Sequence, residues 1–186
     1  MTPFEKFFDS ETKSRLIKFF IYNPTKFFEL SEIAGRLDLH GKVVKNDLLK
    51  LREAGFLKSR GSQAFSISYK FPYLNDLRNL VLQFPPVSDD QIIKEISKTG
   101  RIKLILIAGV LINSQKSRAD LLVVGDKISE RKFVKVLKAI ESGIGREVHY
   151  ALMNVQDFKY RKDMFDRFVL DALEFPHRKL INKLKI

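Results

Sequence analysis

Two adjacent prolines, Pro85 and Pro86, interrupt the chain near its middle, within the segment Gln83–Ser88. Proline cannot continue a helix, and it disfavours helical geometry in the residue that precedes it. Ser88, followed three residues later by Gln91, has the pattern of a capping box that begins a new helix. The sequence therefore predicts two domains, residues 1–84 and 88–186, in a chain of 186 residues.

The composition excludes several classes of protein. Hydrophobic residues make up 45% of the chain and include 16 Phe, which is too much apolar material for a disordered protein. Cysteine is absent, which excludes a disulfide scaffold, a thiolate nucleophile and cysteine-based metal sites. With three His in the whole sequence, a His-rich metal site is not expected, and we predict neither a metal nor a cofactor.

The charge balance favours an anionic partner without naming it. Lys and Arg number 34 against 22 Asp and Glu, a formal net charge of +12. Nucleic acid, an anionic membrane surface and a phosphorylated ligand all fit this excess. Residues 1–84 carry a net charge of +5 and residues 88–186 a net charge of +7, so charge alone does not say which half binds.

No segment of the sequence predicts a membrane span. The longest apolar run, Leu104–Ile112, has nine residues, whereas a bilayer span needs about 20. The N-terminus lacks a basic segment followed by an apolar stretch, the pattern of a secretory signal. We therefore expect a cytoplasmic protein with no membrane partner.

The first half has the pattern of three helices and a hairpin. Apolar spacing predicts helices over Thr12–Phe20, about Glu29–Leu37 and about Lys42–Ala54. In the third helix, Val44, Leu48 and Leu51 fall within about 60° of each other and should form its buried face. Gly55 stands where a helix C-cap favours positive φ. The hairpin consists of 56–60 and 64–69, in which Phe65, Ile67 and Tyr69 alternate with Ser66 and Ser68.

This order resembles that of a winged helix-turn-helix. The segment Val43–Leu57 resembles the recognition helix and first wing strand of ArsR- and MarR-like prokaryotic regulators, and the resemblance covers about Ser10–Tyr69. It implies a DNA-binding domain whose third helix enters the major groove. Winged helices also serve as protein-interaction modules, and that alternative stays open.

The hydrogen-bonding groups and charges of particular side chains indicate which of them would contact DNA. Asn46 has the bidentate geometry for adenine, and Lys42 and Lys45 can reach guanine or phosphate. Lys58, Arg60 and Gln63 at the hairpin tip would lie near the flanking backbone. The alternative is that these residues form a solvated helix face and a polar hairpin tip. The predicted DNA-binding set is Lys42, Lys45, Asn46, Leu49, Lys50, Lys58, Arg60 and Gln63.

The second half alternates strands and helices. Strands are predicted over Arg101–Ala108, Asp120–Val124, Glu147–Met153 and His177–Ile181. An amphipathic helix is predicted over Ser129–Ile140, and helical segments run from Asn154 or Asp157 to Glu174. A stripe of Phe165, Phe168, Val169, Ala172 and Leu173 is expected in the core or at a subunit contact. The chain is therefore predicted to be α+β, with a mixed sheet in its second domain.

The segment from Leu106 to Asp126 resembles the minimal nucleotidyltransferase domain, and the likeness extends over about Arg101–Ile181. In that family a strand ends in Gly-Ser and the next strand opens with Asp-x-Asp. Here Gly109 is followed by Val110, and Arg118 stands where the first Asp belongs, so only Asp120 remains. Nucleotidyl transfer needs clustered carboxylates that hold Mg²⁺. The resemblance therefore implies a degenerate domain, a pseudoenzyme without catalytic residues.

Three further residues near this motif carry predictions. Asp120 is expected to be a strand-end residue paired with Arg118. Arg118 has a second interpretation, in which it binds phosphate together with Lys116, against the alternative of an exposed basic turn. His149 is expected to be a packed or partly exposed strand residue. The third predicted strand offers no acid beyond Glu147 at its start.

Together these observations predict a DNA-binding transcriptional regulator that forms a homodimer on double-stranded DNA. Its second domain would serve dimerisation, partner binding or sensing. The alternatives are an antitoxin-like or adaptor protein, in which both domains bind protein, and a nucleotidyltransferase enzyme acting on a protein or RNA.

Overall fold

The computed structural model of the chain describes residue 8 and residues 10–61, 63–83, 87–114 and 116–186. Helices and two separate sheets make it an α+β protein, as predicted. It divides into two compact units, an N-terminal unit of Met1–Pro86 with Glu141–Arg146, and a C-terminal unit of Val87–Ile140 with Glu147–Ile186. No sequence pattern indicated that 141–146 belong to the first unit. Phe84, Pro85 and Pro86, on which the predicted boundary depends, lie outside the described residues.

The N-terminal unit contains helices and one antiparallel sheet with the strand order β1-β3-β2. Strand β1 and helix α4 were not predicted. Two residues are too few for β1 to show a periodic pattern, and it forms by pairing with β3. The elements are α1 (Glu11–Tyr22), β1 (Phe28–Glu29), α2 (Leu30–Leu37), α3 (Gly41–Glu53), β2 (Leu57–Arg60), β3 (Ala64–Ile67) and α4 (Leu74–Gln83).

Aromatic packing holds α1 against the sheet. The ring of Phe19 lies with its centroid 5.2 Å from that of Phe20 and 4.8 Å from that of Phe28 on β1. Both pairs are edge-to-face, and all three rings are almost completely buried. Burial of each such ring contributes roughly 1.5–3 kcal/mol to folding. The short strand β1 is thus held by its side chain as well as by its two backbone pairs with β3.

The predicted buried face of α3 is confirmed. Val44 and Leu48 are fully buried and Leu51 is nearly so. The helix ends at Glu53, and Gly55, two residues further on, has a φ of +80°, the left-handed conformation predicted for this position. The backbone N–H of Phe56 then donates to the carbonyl of Leu51 at 3.0 Å. This C-cap turns the chain directly into β2.

The C-terminal unit alternates helices with the strands of a second sheet. Its first helix follows Ser88, whose Oγ accepts a hydrogen bond from the N–H of Gln91 at 3.3 Å, so the predicted cap is confirmed. The elements are α5 (Asp89–Ser97), β4 (Arg101–Ala108), a 3₁₀ turn (Gly109–Ile112), β5 (Leu121–Asp126), α6 (Glu130–Ile144), β6 (Tyr150–Met153), α7 (Val155–Asp163), α8 (Arg167–Glu174) and β7 (His177–Asn182). Of α6, residues 130–140 belong to this unit, and residues 141–144 are assigned to the N-terminal unit.

The second sheet is mixed and has the strand order β6-β5-β4-β7. Strand β4 is antiparallel to β5 and to β7, and β5 is parallel to β6. The two central strands are buried on both faces, which explains why their sequences are nearly continuous apolar runs rather than alternating ones. On one face, Leu106 and Val124 pack with Phe158 of α7 and Val169 of α8.

Two predicted apolar patterns extend less far than expected. Phe165 is 77% exposed, because α8 begins only at Arg167 and Phe165 precedes it with a φ of +53°. Tyr69 lies beyond the end of β3 and is also exposed, with its hydroxyl donating to the carbonyl of Pro24 at 3.1 Å. Tyr69 does not lie on a buried apolar face, and Phe165 does not lie in the core, which was one of the two places predicted for its stripe, the other being a subunit contact. Among the described helices, none is long and apolar enough to cross a bilayer.

Candidate functional site

The exposed side of α3 carries the predicted polar and basic residues. Lys42, Lys45, Asn46 and Lys50 are exposed, and Leu49 is partly buried. Lys42 and Lys45 make no ion pair with any residue that the structure describes. The ammonium of Lys50 lies 4.0 Å from the carboxylate of Asp47, with the Lys50 side chain 65% exposed. The helix therefore presents cations and an amide outward.

Asp47 ties α3 to the beginning of α1, and no sequence pattern singled it out. Its side chain is buried, and its Oδ2 accepts a hydrogen bond from Ser10 Oγ at 3.2 Å. The same Ser10 oxygen accepts from the N–H of Lys13 and caps α1. Because the two helices share this polar link as well as apolar packing, the rotation of α3 about its axis is fixed. Its outward face is defined by the fold.

The hairpin cations share one aromatic ring, which no sequence pattern indicated. Lys58 Nζ lies 5.4 Å from the ring centroid of Phe27, and Arg60 Cζ lies 4.7 Å from it. Both distances are within the range of cation–π attraction. Lys58 and Arg60 are two residues apart on β2 and so point to the same face of the sheet. Phe27 immediately precedes β1, two strands away.

The strand register explains how one ring reaches both cations. Lys58 pairs with Ser66 and Arg60 with Ala64, so two small residues of β3 lie between the cations and Phe27. Ser66 lies on the polar side of the alternating pattern and is nevertheless only 3% exposed. The long side chains on this face cover it. The outer face of the hairpin therefore carries two cations that contact the ring of Phe27. Gln63 is exposed at the tip, and Ser62 lies outside the described residues.

Helix α3 and the hairpin are neighbours within the N-terminal unit, since α3 packs against β2. Ammonium and guanidinium groups suit phosphate oxygens, and an exposed Asn suits the edge of adenine. The side chains on α3 are of the types that contact base edges and phosphates, and those on β2 are of the type that contacts phosphates. Both groups of side chains lie on the N-terminal unit.

In the C-terminal unit, Asp120 is a hydrogen-bond acceptor for the backbone on two sides. Its Oδ1 accepts from the N–H of Val110 at 2.8 Å, and its Oδ2 accepts from the N–H of His149 at 2.9 Å. The side chain is 13% exposed. One carboxylate therefore connects the turn after β4, the start of β5 and the residue before β6.

Gly109 makes room for this carboxylate. Its φ of +51° is a left-handed conformation, and a Cβ atom placed on it would overlap Asp120 Oδ1. The resemblance to nucleotidyltransferases singled out Gly109 as part of the degenerate motif. In this chain the space beside the glycine is occupied by the side chain of Asp120.

His149 is more exposed than predicted. Its side chain is 81% exposed, and β6 begins only at the next residue, so His149 is not a packed strand residue. The ring Nδ1 lies 3.4 Å from Asp120 Oδ2. The backbone of His149 is engaged with Asp120 while its ring faces solvent.

The predicted ion pair between Arg118 and Asp120 is wrong. Arg118 Nε lies 2.5 Å from Oδ2 of Asp171 on α8, and Arg167 Nε lies 3.4 Å from Oδ1 of the same carboxylate. Asp171 is buried, and a buried carboxylate needs a cation, whereas Asp120 already has two backbone donors. The spacing of Arg167 and Asp171 on one helix was the signal that could have pointed to this carboxylate.

The strand-end residues do not combine into a cation site. Among the residues that the structure describes, no three His, Asp or Glu side chains are grouped as a metal ion would require. Lys116 is exposed and Arg118 is directed to Asp171, so these two cations are not gathered around one anion. Asp120 bonds to backbone N–H groups and Asp171 pairs with two arginines, so both carboxylates have structural contacts.

Comparison with protein-family models, with curated proteins and with solved structures finds no match to this chain.

Proposed function

We propose that this chain is a cytoplasmic transcriptional regulator of the winged helix-turn-helix type. Helix α3 would enter the major groove of double-stranded DNA, and the β2–β3 hairpin would lie on the flanking backbone. Its N-terminal unit would supply the surface that reads the DNA sequence, and its C-terminal unit would serve dimerisation, partner binding or sensing.

One observation carries the proposal: α3 presents Lys42, Lys45 and Asn46 outward while its other side is fixed by apolar packing and by Asp47. A helix that reads bases needs an invariant outward face, because a rotation about its axis would move every contact. The hairpin packed beside it adds Lys58 and Arg60 as phosphate ligands.

Binding to duplex DNA tests the proposal. Fluorescence anisotropy with labelled genomic fragments, at two salt concentrations, should give salt-sensitive and sequence-preferring binding. The variant K45A/N46A should lose about tenfold or more in affinity for the preferred fragment, since a good base contact contributes about 1–3 kcal/mol of discrimination. Binding that is absent, or indifferent to sequence, would contradict the proposal.

A matched control separates the α3 face from a general loss of charge. The variant K70A/N79A removes the same two residue types from exposed positions of the N-terminal unit outside α3 and the hairpin. It should bind the preferred fragment like the unsubstituted chain. Equal losses in the two variants would show that α3 does not read the sequence.

We also propose that the C-terminal unit transfers no nucleotide. Both oxygens of Asp120 are engaged with backbone donors, and Arg118 and Asp171 neutralise each other, which supports a structural role for these groups. Incubation with labelled ATP and Mg²⁺ should leave protein and RNA unlabelled. Label transfer that disappears in D120N would establish the enzymatic alternative instead.

The regulator is proposed to act as a homodimer, because a two-fold arrangement lets two α3 helices contact half-sites about one DNA turn, roughly 34 Å, apart. Light scattering coupled to gel filtration should give about twice the mass of 21.6 kDa. A monomer both free and on DNA would contradict this part of the proposal.

A further inference from the structure

Helix α6 in the C-terminal unit carries a row of cations that the proposed function does not use. Arg131, Lys132, Lys135 and Lys138 are all exposed. None of these four side chains forms an ion pair or hydrogen bond with another residue in the described part of the chain. At about 100° per residue, Arg131, Lys135 and Lys138 lie within an arc of about 60°. We call these three residues the α6 basic row.

The opposite side of α6 fixes the orientation of this row. Phe133, Leu137 and Ile140 are buried, so the helix cannot turn to hide its charges. Glu130, in the first turn, is the single acidic residue among the residues from 130 to 140. An exposed row of like charges without partners is electrostatically unfavourable on a free protein and attracts an anion.

We propose that the α6 basic row is a second DNA-backbone contact, which rests on the proposed function of the N-terminal unit. With a rise of 1.5 Å per residue, the row extends about 10.5 Å from Arg131 to Lys138. Phosphates along one strand of duplex DNA advance about 3.4 Å each, so the row spans about three of them. Ion pairs between cations and phosphates give affinity without sequence preference.

The surroundings of the row favour a nucleic acid over other anionic partners. A membrane-surface helix inserts its apolar face into lipid, whereas the apolar face of α6 is occupied by the protein core. A protein partner usually requires aromatic anchors in the interface, and the exposed side of α6 has only Val134 and Ala139 as apolar residues. A polyanion with evenly spaced charge needs neither.

The salt dependence of binding tests the row. A labelled mixed-sequence duplex of about 30 base pairs is titrated with the full chain over a range of salt concentrations, since the slope of log K against log salt is about −0.9 per phosphate neutralised. In R131Q/K135Q/K138Q the slope should become shallower by about 2–3, and affinity near physiological salt should fall about tenfold or more on every sequence. The variant R131K/K135R/K138R keeps the charges and should keep the slope.

The matched control is K94Q/K159Q/K162Q, which removes three exposed lysines from other helices of the same unit and should leave the slope nearly unchanged. If the unsubstituted chain binds and K45A/N46A weakens it while the α6 variant keeps the full slope, the inference is overturned and the proposed function stands. An equal change in the α6 variant and its control overturns the inference as well. If the unsubstituted chain does not bind the duplex, both fail.

Discussion

Asp120 and His149 are joined by two hydrogen bonds that run in opposite directions. The N–H of Asp120 donates to the carbonyl of His149 at 2.6 Å, and the N–H of His149 donates to the Asp120 carboxylate at 2.9 Å. The backbone bond extends the parallel pairing of β5 with β6 by one residue. The bond to the carboxylate adds a side-chain contact between the same two residues. The carboxylate of Asp120, which the nucleotidyltransferase resemblance singled out, thus joins the start of β5 to the residue before β6.

The first prediction concerns the stability of the C-terminal unit. In D120N, an amide NH₂ faces one of the two backbone N–H groups and leaves it without an acceptor, and in D120A both donors lose their acceptor. Each unsatisfied buried donor costs about 1–3 kcal/mol, so D120A should lower the free energy of unfolding by about 2–4 kcal/mol and D120N by less. Urea unfolding followed by far-ultraviolet circular dichroism measures this. D163N, at an exposed aspartate, should change the free energy by no more than about 0.5 kcal/mol.

The second prediction concerns the close approach of Gly109 to Asp120. G109A introduces a methyl group into the space of the carboxylate and forces alanine into a left-handed conformation. G61A is the matched control, because Gly61 has a φ of +63° and no atom lies within 4 Å of the position that its new methyl group would take. It therefore reports the conformational cost alone, about 1 kcal/mol.

A double-mutant cycle isolates the contact. In a D120A background the cost of G109A should fall by at least about 1 kcal/mol, because the atom with which the methyl group overlaps is gone. Additive effects of G109A and D120A in urea unfolding would show that the glycine does not serve the carboxylate.

The third prediction is that restoring the acidic motif destabilises the protein. In R118D a second carboxylate would lie beside the buried Asp171, whereas R118Q only removes a half-exposed ion pair. R118Q should cost about 0–1 kcal/mol, and R118D at least about 1 kcal/mol more. Added salt should narrow the difference between the two variants, because it screens the repulsion. An R118D protein as stable as R118Q would mean that Asp171 does not depend on position 118.

Local patterns in the sequence predicted much of this molecule. The outward face of α3 and the apolar strands β4 and β5 were predicted because each depends on the periodicity of a single segment. The cap at Ser88 and the positive φ at Gly55 were predicted because their signals lie within a few residues. These features are the ones that local chain geometry determines.

The contacts that were missed join segments far apart in the chain. Ser10 bonds to Asp47, and Arg118 pairs with Asp171, and neither pair has a periodic signal. The wrong pairing of Arg118 with Asp120 arose from proximity in sequence. The carboxylate of Asp120 is bonded instead to the N–H groups of Val110 and His149. The positions of these donors depend on how β4, β5 and β6 are arranged.

The last prediction concerns Phe27, which no sequence pattern indicated as part of the proposed DNA-binding surface. Its ring attracts Lys58 and Arg60 and restricts where their charged groups lie in the free protein. A cation–π contact at an exposed site contributes about 0.5–1 kcal/mol, so F27L should weaken DNA binding by about 2–5-fold. The charges stay in place, and the slope of log K against log salt should therefore be unchanged. R60Q removes a charge and should make that slope shallower by about 1.

Anisotropy titrations over a salt series distinguish the two effects. The control for loss of a ring is F71L, because Phe71 is a half-buried aromatic residue of the same unit that packs on Phe56. An F27L protein that binds as tightly as the unsubstituted chain would exclude Phe27 from the interface, and one with an altered slope would show that the ring determines how many phosphates the hairpin reaches.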